Sequence, residues 1–330
     1  MKFFPESTLV QLEYEKVKVL LSNHCKTEFG KAKCAALRIH TKKEFIETEL
    51  RQTNEYKLIT QSGQVFPNDF VANIAIELKL LSIQGAVLSG EQFLLIKRLT
   101  QNTNNIFRWF DAEKRQAYGA LAKVINDTYY EKAIPQLIDE VLDETGNVKD
   151  NASEELYKIR MSLYKRRNEL RRLFDKIVSK LNKQGYLTDI EESFMNGRRV
   201  LAVFAEQKRQ IKGVLHGESD SRRTTFIEPE ETTELNNEIF SLEHEESREV
   251  YKILRILTKN VGVYAAVLKT YFDIAGEYDF IQAKAKLAIE MGGNFPQIFD
   301  KAHIQLIDAY HPLLFLYNKI KIVKVSLTKF

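Results

Sequence analysis

Cysteine, proline, glycine and tryptophan are all scarce in this 330-residue chain, which has two Cys, six Pro, fourteen Gly and one Trp. Cys25 and Cys34 are too few for a disulfide framework and too far apart for a structural zinc knuckle. A reducing, cytosolic setting is therefore expected. The small number of turn-forming residues excludes an all-β fold, whereas 44% hydrophobic residues suffice for more than one helical core.

Long apolar runs are missing as well. No stretch approaches the ~18 apolar residues of a membrane span. The start of the chain, Met1–Glu6, lacks the basic flank and the following apolar run of a secretory leader. The sequence thus predicts a soluble, cytoplasmic protein with no membrane partner.

The short motifs of catalysis are also absent. There is no phosphate-binding loop, serine-hydrolase elbow or zinc-protease helix, and the six histidines are scattered. The two cysteines are expected to be packing residues. His216, in a predicted strand, is either a core or a surface group. The sequence predicts no catalytic residue and no metal site.

Helical periodicity is what the chain has in abundance. Apolar residues recur at helical spacing through most of 1–150, which predicts the first part of a helical core. Ser153 can then cap a helix with an acidic first turn, followed by a near-heptad seam to about residue 182. The segment 151–184 is predicted to be one long helix, ~42 Å in length at 1.5 Å per residue.

Residues 185–231 change to alternating periodicity, which predicts four short strands. Asn196-Gly197 between the first two strands is a strong type I′ hairpin signal. A second long helix is predicted at 232–270, and 271–330 returns to the helical core. The predicted fold class is mainly α, a helical core with a long antiparallel helical hairpin that carries a small four-stranded antiparallel β domain at its tip.

The two long helices carry opposite charge. Nine basic residues outnumber two acidic ones between 158 and 180, and six acidic residues outnumber one basic residue between 234 and 249. An antiparallel register that pairs Leu170 with Leu242 also pairs two charged seam residues, Arg166 and Glu246. We expect this ion pair to fix the register of the hairpin.

The predicted β domain concentrates the positive charge of the chain. From Met195 to Phe226 there are seven basic and three acidic residues, a net excess of four that equals that of the whole chain. The basic residues bracket the predicted turns, where several can meet phosphates together. They are Arg198, Arg199, Lys208, Arg209, Lys212, Arg222 and Arg223. Composition alone does not distinguish phosphate contact from a second interpretation, in which these are solvated turn residues that only aid solubility.

Several segments of the chain resemble the MutS family. They are NGRRVLAV at 196–203, GVLHGES at 213–219, TTFIEP at 224–229, ELNNE at 234–238 and YHPLL at 310–314. The first resembles the family's clamp hairpin, the next three resemble its clamp-to-lever junction, and the last resembles the segment that introduces its ATPase domain. The closer likeness is to the second-type branch, which lacks the mismatch-reading domain.

This resemblance implies a clamp that holds the backbone of double-stranded or branched DNA without reading sequence, in DNA repair or recombination control. The clamp positions that match the family are Arg198, Arg199, Lys208, Arg209 and Lys212. Arg222 and Arg223 depart from the family, whose turn has small residues there. They either add phosphate contacts or pair locally with Asp220 and Glu218.

The family's ATPase domain should begin where this chain stops, at Phe330. The resemblance therefore leads us to expect a fragment of core and clamp that is not an enzyme and holds no cofactor by itself. Its intact parent is expected to be a homodimeric ATPase that uses ATP and Mg²⁺. A different interpretation stays open, in which the chain is a structural or dimerising arm whose β domain binds protein or ribosomal RNA.

Overall fold

Helices dominate the computed structural model, which describes residues 7–300 and 303–320. One small antiparallel sheet of four strands accompanies them, which confirms the predicted fold class of mainly α with a small β domain. The contacts divide the molecule into two units, Asp139–Leu257 and the described residues outside that range. Of the predicted segment 271–330, residues 301–302 and 321–330 lie outside the described part.

The described helices are numbered α1 to α13 in chain order. They are α1 (Thr8–Gln11), α2 (Tyr14–His24), α3 (Glu28–Ala35), α4 (Lys43–Gln61), α5 (Ala75–Leu81), α6 (Gly90–Trp109), α7 (Ala112–Ala117), α8 (Gly119–Ala122), α9 (Ala133–Val141), α10 (Glu154–Lys183), α11 (Glu230–Gly262), α12 (Ala265–Glu290) and α13 (Pro312–Ile320). The strands are β1 (Leu187–Met195), β2 (Arg198–Phe204), β3 (Gly213–Glu218) and β4 (Thr224–Pro229). Short 3₁₀ helices cover Lys123–Ile125, Asp150–Ala152 and Ala205–Gln210.

The core of the unit outside Asp139–Leu257 is built around α12. Helices α2 to α6 pack against it, and its buried residues lie on all sides, as in a helix that is central to a core. The buried side chains include Leu268, Tyr271, Ile274, Tyr278, Ile281 and Leu287. The predicted core of 1–150 is therefore completed by a helix from the last part of the chain.

Cys25 and Cys34 are buried free thiols in this unit, as expected of packing residues. Burial raises the pKa of the Cys25 thiol to about 12 and also raises the pKa of Cys34. Both thiols are therefore protonated and weakly nucleophilic at neutral pH.

Helix α10 begins where the sequence predicts, because the Ser153 hydroxyl accepts a hydrogen bond from the Leu156 N–H at 3.0 Å. Its end at Lys183 also lies beside the predicted boundary. Helix α11 ends at Gly262, so the prediction of one helix to residue 270 is wrong. A Cβ at Gly262 would lie 3.0 Å from the carbonyl oxygen of Leu81. This close backbone approach marks the place where the chain turns into α12.

Within Asp139–Leu257, α10 and α11 pack as an antiparallel pair. The Ser153 hydroxyl donates to Glu249 at 2.9 Å, and further along α10 the Arg166 guanidinium pairs with Glu238 at 2.8 Å. The seam is apolar. Its residues are Ile159, Leu163 and Leu170 from α10 with Leu235, Ile239 and Leu242 from α11.

The predicted pair of Arg166 and Glu246 is not formed. Glu246 accepts from Arg160 Nε at 2.7 Å, whereas Arg166 pairs with Glu169 and Glu238. The difference has a physical reason. Arg160 also donates a hydrogen bond to the Val148 carbonyl oxygen at 2.8 Å, which fixes its guanidinium where it meets Glu246. A long arginine side chain also reaches partners a full helical turn away, so the apolar seam sets the register instead of the charges.

The four strands lie in the order β1-β2-β4-β3, with every neighbouring pair antiparallel. Asn196 and Gly197 both have positive φ, 53° and 76°, which confirms the predicted type I′ turn between β1 and β2. One face of the sheet packs on α10. The buried residues of this contact are Phe174, Ile177, Leu181, Leu187, Leu201, Val203 and Ile227.

Candidate nucleic-acid interface

Two connections lie side by side at one end of the sheet. Phe204 at the end of β2 pairs with Thr224 at the start of β4, and the N–H of Ala205 donates to the carbonyl oxygen of Arg223 at 3.0 Å. The 3₁₀ helix Ala205–Gln210 thereby begins beside the turn Ser219–Arg223. These two segments together are called the tip below.

The tip carries Lys208, Arg209, Arg222 and Arg223, and all four are exposed. Lys208 pairs with Glu218 at 3.0 Å. The side chains of the other three have no ion pair or hydrogen bond with any residue in the described part of the chain. Arg222 and Arg223 therefore do not form the local pairs with Asp220 and Glu218 that the sequence left open.

The backbone of Arg222 has a left-handed conformation, with φ at 56°. Its N–H donates to the Ser219 carbonyl oxygen at 2.8 Å, and the Thr224 N–H donates to the Ser219 hydroxyl at 3.1 Å. These bonds hold the turn closed. A long cationic side chain thus occupies a position where glycine would be the least strained residue.

Acidic residues moderate the charge of the tip. The tip contains Glu206 and Asp220 besides its four basic residues, so its net charge is +2. At physiological salt this charge is screened over ~8 Å. The tip can therefore act on a polyanion by direct contact and has little long-range attraction.

Lys212 is exposed but lies at the other end of β3. Its carbonyl oxygen accepts from the N–H of Glu230, where α11 begins, at 3.1 Å. The neighbouring Gly213 pairs with Pro229 at the end of β4. Lys212 follows Gln210 of the tip by only two residues, but it lies at the opposite end of β3 from the turn Ser219–Arg223, and a strand of six residues is about 20 Å long.

Arg198 is engaged inside the unit. Its Nη1 donates to Glu228 Oε1 at 2.8 Å, and its Nη2 donates to Asn237 Oδ1 at 2.6 Å. The Glu228 side chain is only 1% exposed. Because a buried carboxylate needs its partners, Arg198 serves the packing of the sheet against α11.

Arg199 is engaged in a similar way on the other face of the strand. Its guanidinium binds both carboxylate oxygens of Glu192, at 2.8 and 2.9 Å, and lies 4.5 Å from the ring centroid of Phe174. It also approaches Asp175 at 3.5 Å. Arg198 and Arg199 are thus directed to internal partners, whereas the four basic residues of the tip are exposed.

Glu228 is the residue that the sequence pattern did not single out. It accepts from Arg198, from Asn236 Nδ2 at 2.9 Å and from His216 Nε2 at 2.6 Å. Burial alone would raise the pKa of Glu228, but the hydrogen bonds from Asn236, His216 and Arg198 outweigh it and hold this pKa below its ordinary value. The carboxylate is therefore ionised at neutral pH, and His216 is a half-buried partner of it.

Residues 7–300 and 303–320 contain no group of three or more His, Cys, Asp or Glu side chains placed to hold a metal ion. None of the helices in this described part combines the length and the apolar character that crossing a bilayer requires. The exposed guanidinium and ammonium groups of the tip can make noncovalent contacts with anions.

Along nearly its whole length the chain is similar to curated proteins named Endonuclease MutS2. It is 31% identical to the protein of Aquifex aeolicus over 314 residues, and 30% identical to that of Leuconostoc mesenteroides over 313 residues. A protein of that name from Staphylococcus aureus is 29% identical over 313 residues.

These matches cover 94 to 95% of the chain and 39 to 40% of the relatives. The chain therefore spans about two fifths of the length of the curated relatives that it matches. No protein-family model matches it. The similarity supports a chain related to the MutS family.

Proposed function

We propose that this chain is the core and clamp of a MutS-like protein, and that its tip contacts the backbone of double-stranded or branched DNA without reading sequence. The contacts are assigned to Lys208, Arg209, Arg222 and Arg223. The function served is DNA repair or recombination control.

One observation carries this proposal: three exposed arginines of the tip have no side-chain partner among the described residues, and the same two segments carry a fourth exposed cation, Lys208. Phosphate oxygens are the natural partners of such groups. Contacts with phosphates carry no sequence information, so the expected binding is sequence-independent. The similarity to proteins named Endonuclease MutS2 supports DNA as the polyanion.

For the intact parent we propose a homodimeric ATPase that uses ATP and Mg²⁺, as the resemblance implies. In it, α10 and α11 would act as levers that carry a movement from the ATPase to the tip. Helix α10 has 30 residues, a length of about 45 Å, and packed helices move as units. Nucleotide state would thereby open or close the grip on DNA.

The proposal is tested with the 330-residue chain by fluorescence anisotropy at several salt concentrations. The probes are a labelled duplex, a four-way branched DNA and a structured RNA. The test variant reverses the four tip charges (Lys208→Glu, Arg209→Glu, Arg222→Glu and Arg223→Glu). We expect it to bind the DNA probes more weakly, with a salt slope reduced by about 0.9 for each phosphate that the tip no longer neutralises.

A matched control reverses four exposed cations on α10 (Arg171→Glu, Arg172→Glu, Lys176→Glu and Lys180→Glu). It changes the net charge by the same amount but leaves the tip intact, so its salt slope should stay that of the wild type. Equal losses in the two variants, or no loss in the tip variant, would contradict the proposal. Preference for the RNA, or no binding to any probe, would favour the structural arm that binds ribosomal RNA or protein.

A further inference from the structure

The sheet is joined to α10 and to α11 by contacts of different kinds. Against α10 it presents an apolar surface, in which Leu201, Val203 and Ile227 pack on side chains of that helix. Hydrophobic contact is non-directional, so such a surface resists separation more than it resists rotation. Against α11 the sheet presents the polar group around Glu228, whose hydrogen bonds have fixed directions.

The group around Glu228 links four elements in one place. Arg198 comes from β2, His216 from β3 and Glu228 from β4, while Asn236 and Asn237 come from the first turns of α11. Two of the bonds cross from the sheet to the helix: Asn236 donates to Glu228 at 2.9 Å, and Arg198 donates to Asn237 at 2.6 Å. We call these five residues the Glu228 hub.

Irregularities of the strands serve this hub. The pairing of β3 with β4 shifts by one residue between Leu215 and Gly217, a bulge that leaves His216 out of the ladder and aims its ring at Glu228. A Cβ at Gly213 would lie 2.1 Å from the Glu228 carbonyl oxygen, so β3 comes closer to β4 here than any other residue would allow. The local backbone is thus adapted to keep the hub together.

Open space lies beside the hub on the side of the β1–β2 hairpin. A cleft of about 440 Å³ runs between the hairpin and the helix pair. Its lining includes Phe194 and Gly197 from the hairpin, Arg171 from α10, and Asn236 and Glu243 from α11. The hairpin therefore has room to move toward the helices if the polar bonds of the hub are broken.

From these contacts we infer that Glu228 is a positioning residue, which fixes the orientation of the sheet and its tip relative to α11. The apolar surface against α10 holds the sheet on that helix but does not by itself select one orientation. The directional hydrogen bonds of the hub select one orientation of the sheet on this surface. The importance of this orientation for DNA rests on the proposed function, but the orientation itself does not.

Spin-label distance measurements on the full chain test this inference without any nucleic acid. Labels are placed by Ser221→Cys in the tip and Ser241→Cys on α11, both exposed positions. The native thiols of Cys25 and Cys34 are buried with raised pKa values, so the introduced thiols are labelled selectively. The readout is the distribution of the label-to-label distance.

The main variant is the double substitution Asn236→Ala and Asn237→Ala. It removes both bonds from α11 and leaves Arg198, His216 and Glu228 joined within the sheet. We expect a broadened or shifted distance distribution, together with hydrogen exchange about tenfold faster in the first turns of α11. A second variant, Glu228→Gln, keeps the shape of the side chain and removes its charge, and it should broaden the distribution in the same way.

The matched control is Glu192→Gln, which removes a carboxylate that binds Arg199 in the same sheet but does not reach α11. Its distance distribution should stay that of the wild type. An unchanged distribution in the double asparagine variant would overturn the inference, as would equal broadening in Glu192→Gln. If Glu228→Gln unfolds the sheet, the asparagine variant still decides, since its hydrogen bonds within the sheet remain.

DNA binding is then measured on the same variants. A lower salt slope in the asparagine variant, with all tip cations present, is expected if orientation governs how many phosphates the tip meets. A broadened distance distribution with unchanged DNA binding would retain Glu228 as a positioning residue and would contradict the proposed interface instead.

Discussion

The β domain contains two arginine pairs, Arg198-Arg199 and Arg222-Arg223, which look alike in the sequence and differ entirely in their surroundings. The first pair directly follows the Asn196-Gly197 turn, and the second lies in the turn Ser219–Arg223. The first pair binds Glu228, Glu192 and Asn237 through charge-assisted hydrogen bonds, whereas the side chains of the second have no partner within the described residues. The neighbouring elements therefore decide whether an arginine supports the fold or is available to a ligand.

The largest effect on stability is expected from Arg198→Ala. This change leaves the buried Glu228 carboxylate without its cation, and breaking a buried pair in this way should cost about 3 kcal/mol of the free energy of unfolding. Denaturant unfolding, followed by hydrogen exchange of the sheet amides, measures it. Arg198→Lys keeps the charge but cannot bind Glu228 and Asn237 in the same fork, so it should restore only part of the loss.

A full recovery by lysine would mean that only the charge at this position matters. No loss on substitution by alanine would place Arg198 in the same class as the tip arginines and would break the comparison between the two pairs.

A smaller loss is expected from Arg199→Ala, about 1.5 kcal/mol, because this residue is bound bidentately by the partly exposed Glu192 and covers the Phe174 ring. The corresponding change in the other pair, Arg223→Ala, should alter the free energy of unfolding by less than about 0.5 kcal/mol, since the residue is exposed and unpaired within the described part of the chain. The same unfolding assay measures both. Equal losses would show that the internal contacts of Arg199 contribute little.

Two threonines extend the comparison to uncharged groups. Both are fully buried, but the Thr232 hydroxyl donates to the Pro229 carbonyl oxygen at 2.9 Å, while the Thr225 hydroxyl has no hydrogen-bond partner among the described residues. Thr225→Val removes a buried polar atom that makes no bond and should stabilise the sheet by about 1 kcal/mol.

The matched change Thr232→Val should destabilise by about the same amount, since it removes a hydrogen bond that is made. Thermal unfolding of the two variants measures the difference. A loss of stability in Thr225→Val would reveal a partner for its hydroxyl in solution, such as an ordered water.

The sequence allows the elements of this unit to be predicted because their signals are local. Ser153 caps α10, Asn196-Gly197 forms the expected turn, and alternating apolar residues place the strands. The partner of a charge is not a local property. Glu228 meets Arg198 and His216 only through a strand order of β2-β4-β3 and a one-residue bulge, neither of which leaves a pattern in the sequence.

The same limit explains the two errors in the helical part. Counting along the seam pairs Arg166 with Glu246. Long side chains reach over a full helical turn, however, and Glu246 pairs with Arg160 while Arg166 pairs with Glu238. Helix α11 ends at Gly262, where its backbone comes close to Leu81, a residue that lies far away in the sequence. Predictions based on periodicity thus identify elements well and tertiary pairings poorly.

A small effect on stability, combined with an effect on DNA binding that separates the two roles most sharply, is expected from Arg222→Gly. Relief of the left-handed backbone stabilises the turn by ~1 kcal/mol, and the greater freedom of glycine in the unfolded chain offsets part of this, so the net gain should be about 0.5 kcal/mol. At the same time the tip has one cation fewer to neutralise a phosphate, which should lower the salt slope of DNA binding by about 0.9. Thermal unfolding and anisotropy on one preparation measure both quantities. An arginine that lowers stability and raises affinity is retained for its ligand, whereas a gain in stability with unchanged binding would assign Arg222 to neither role.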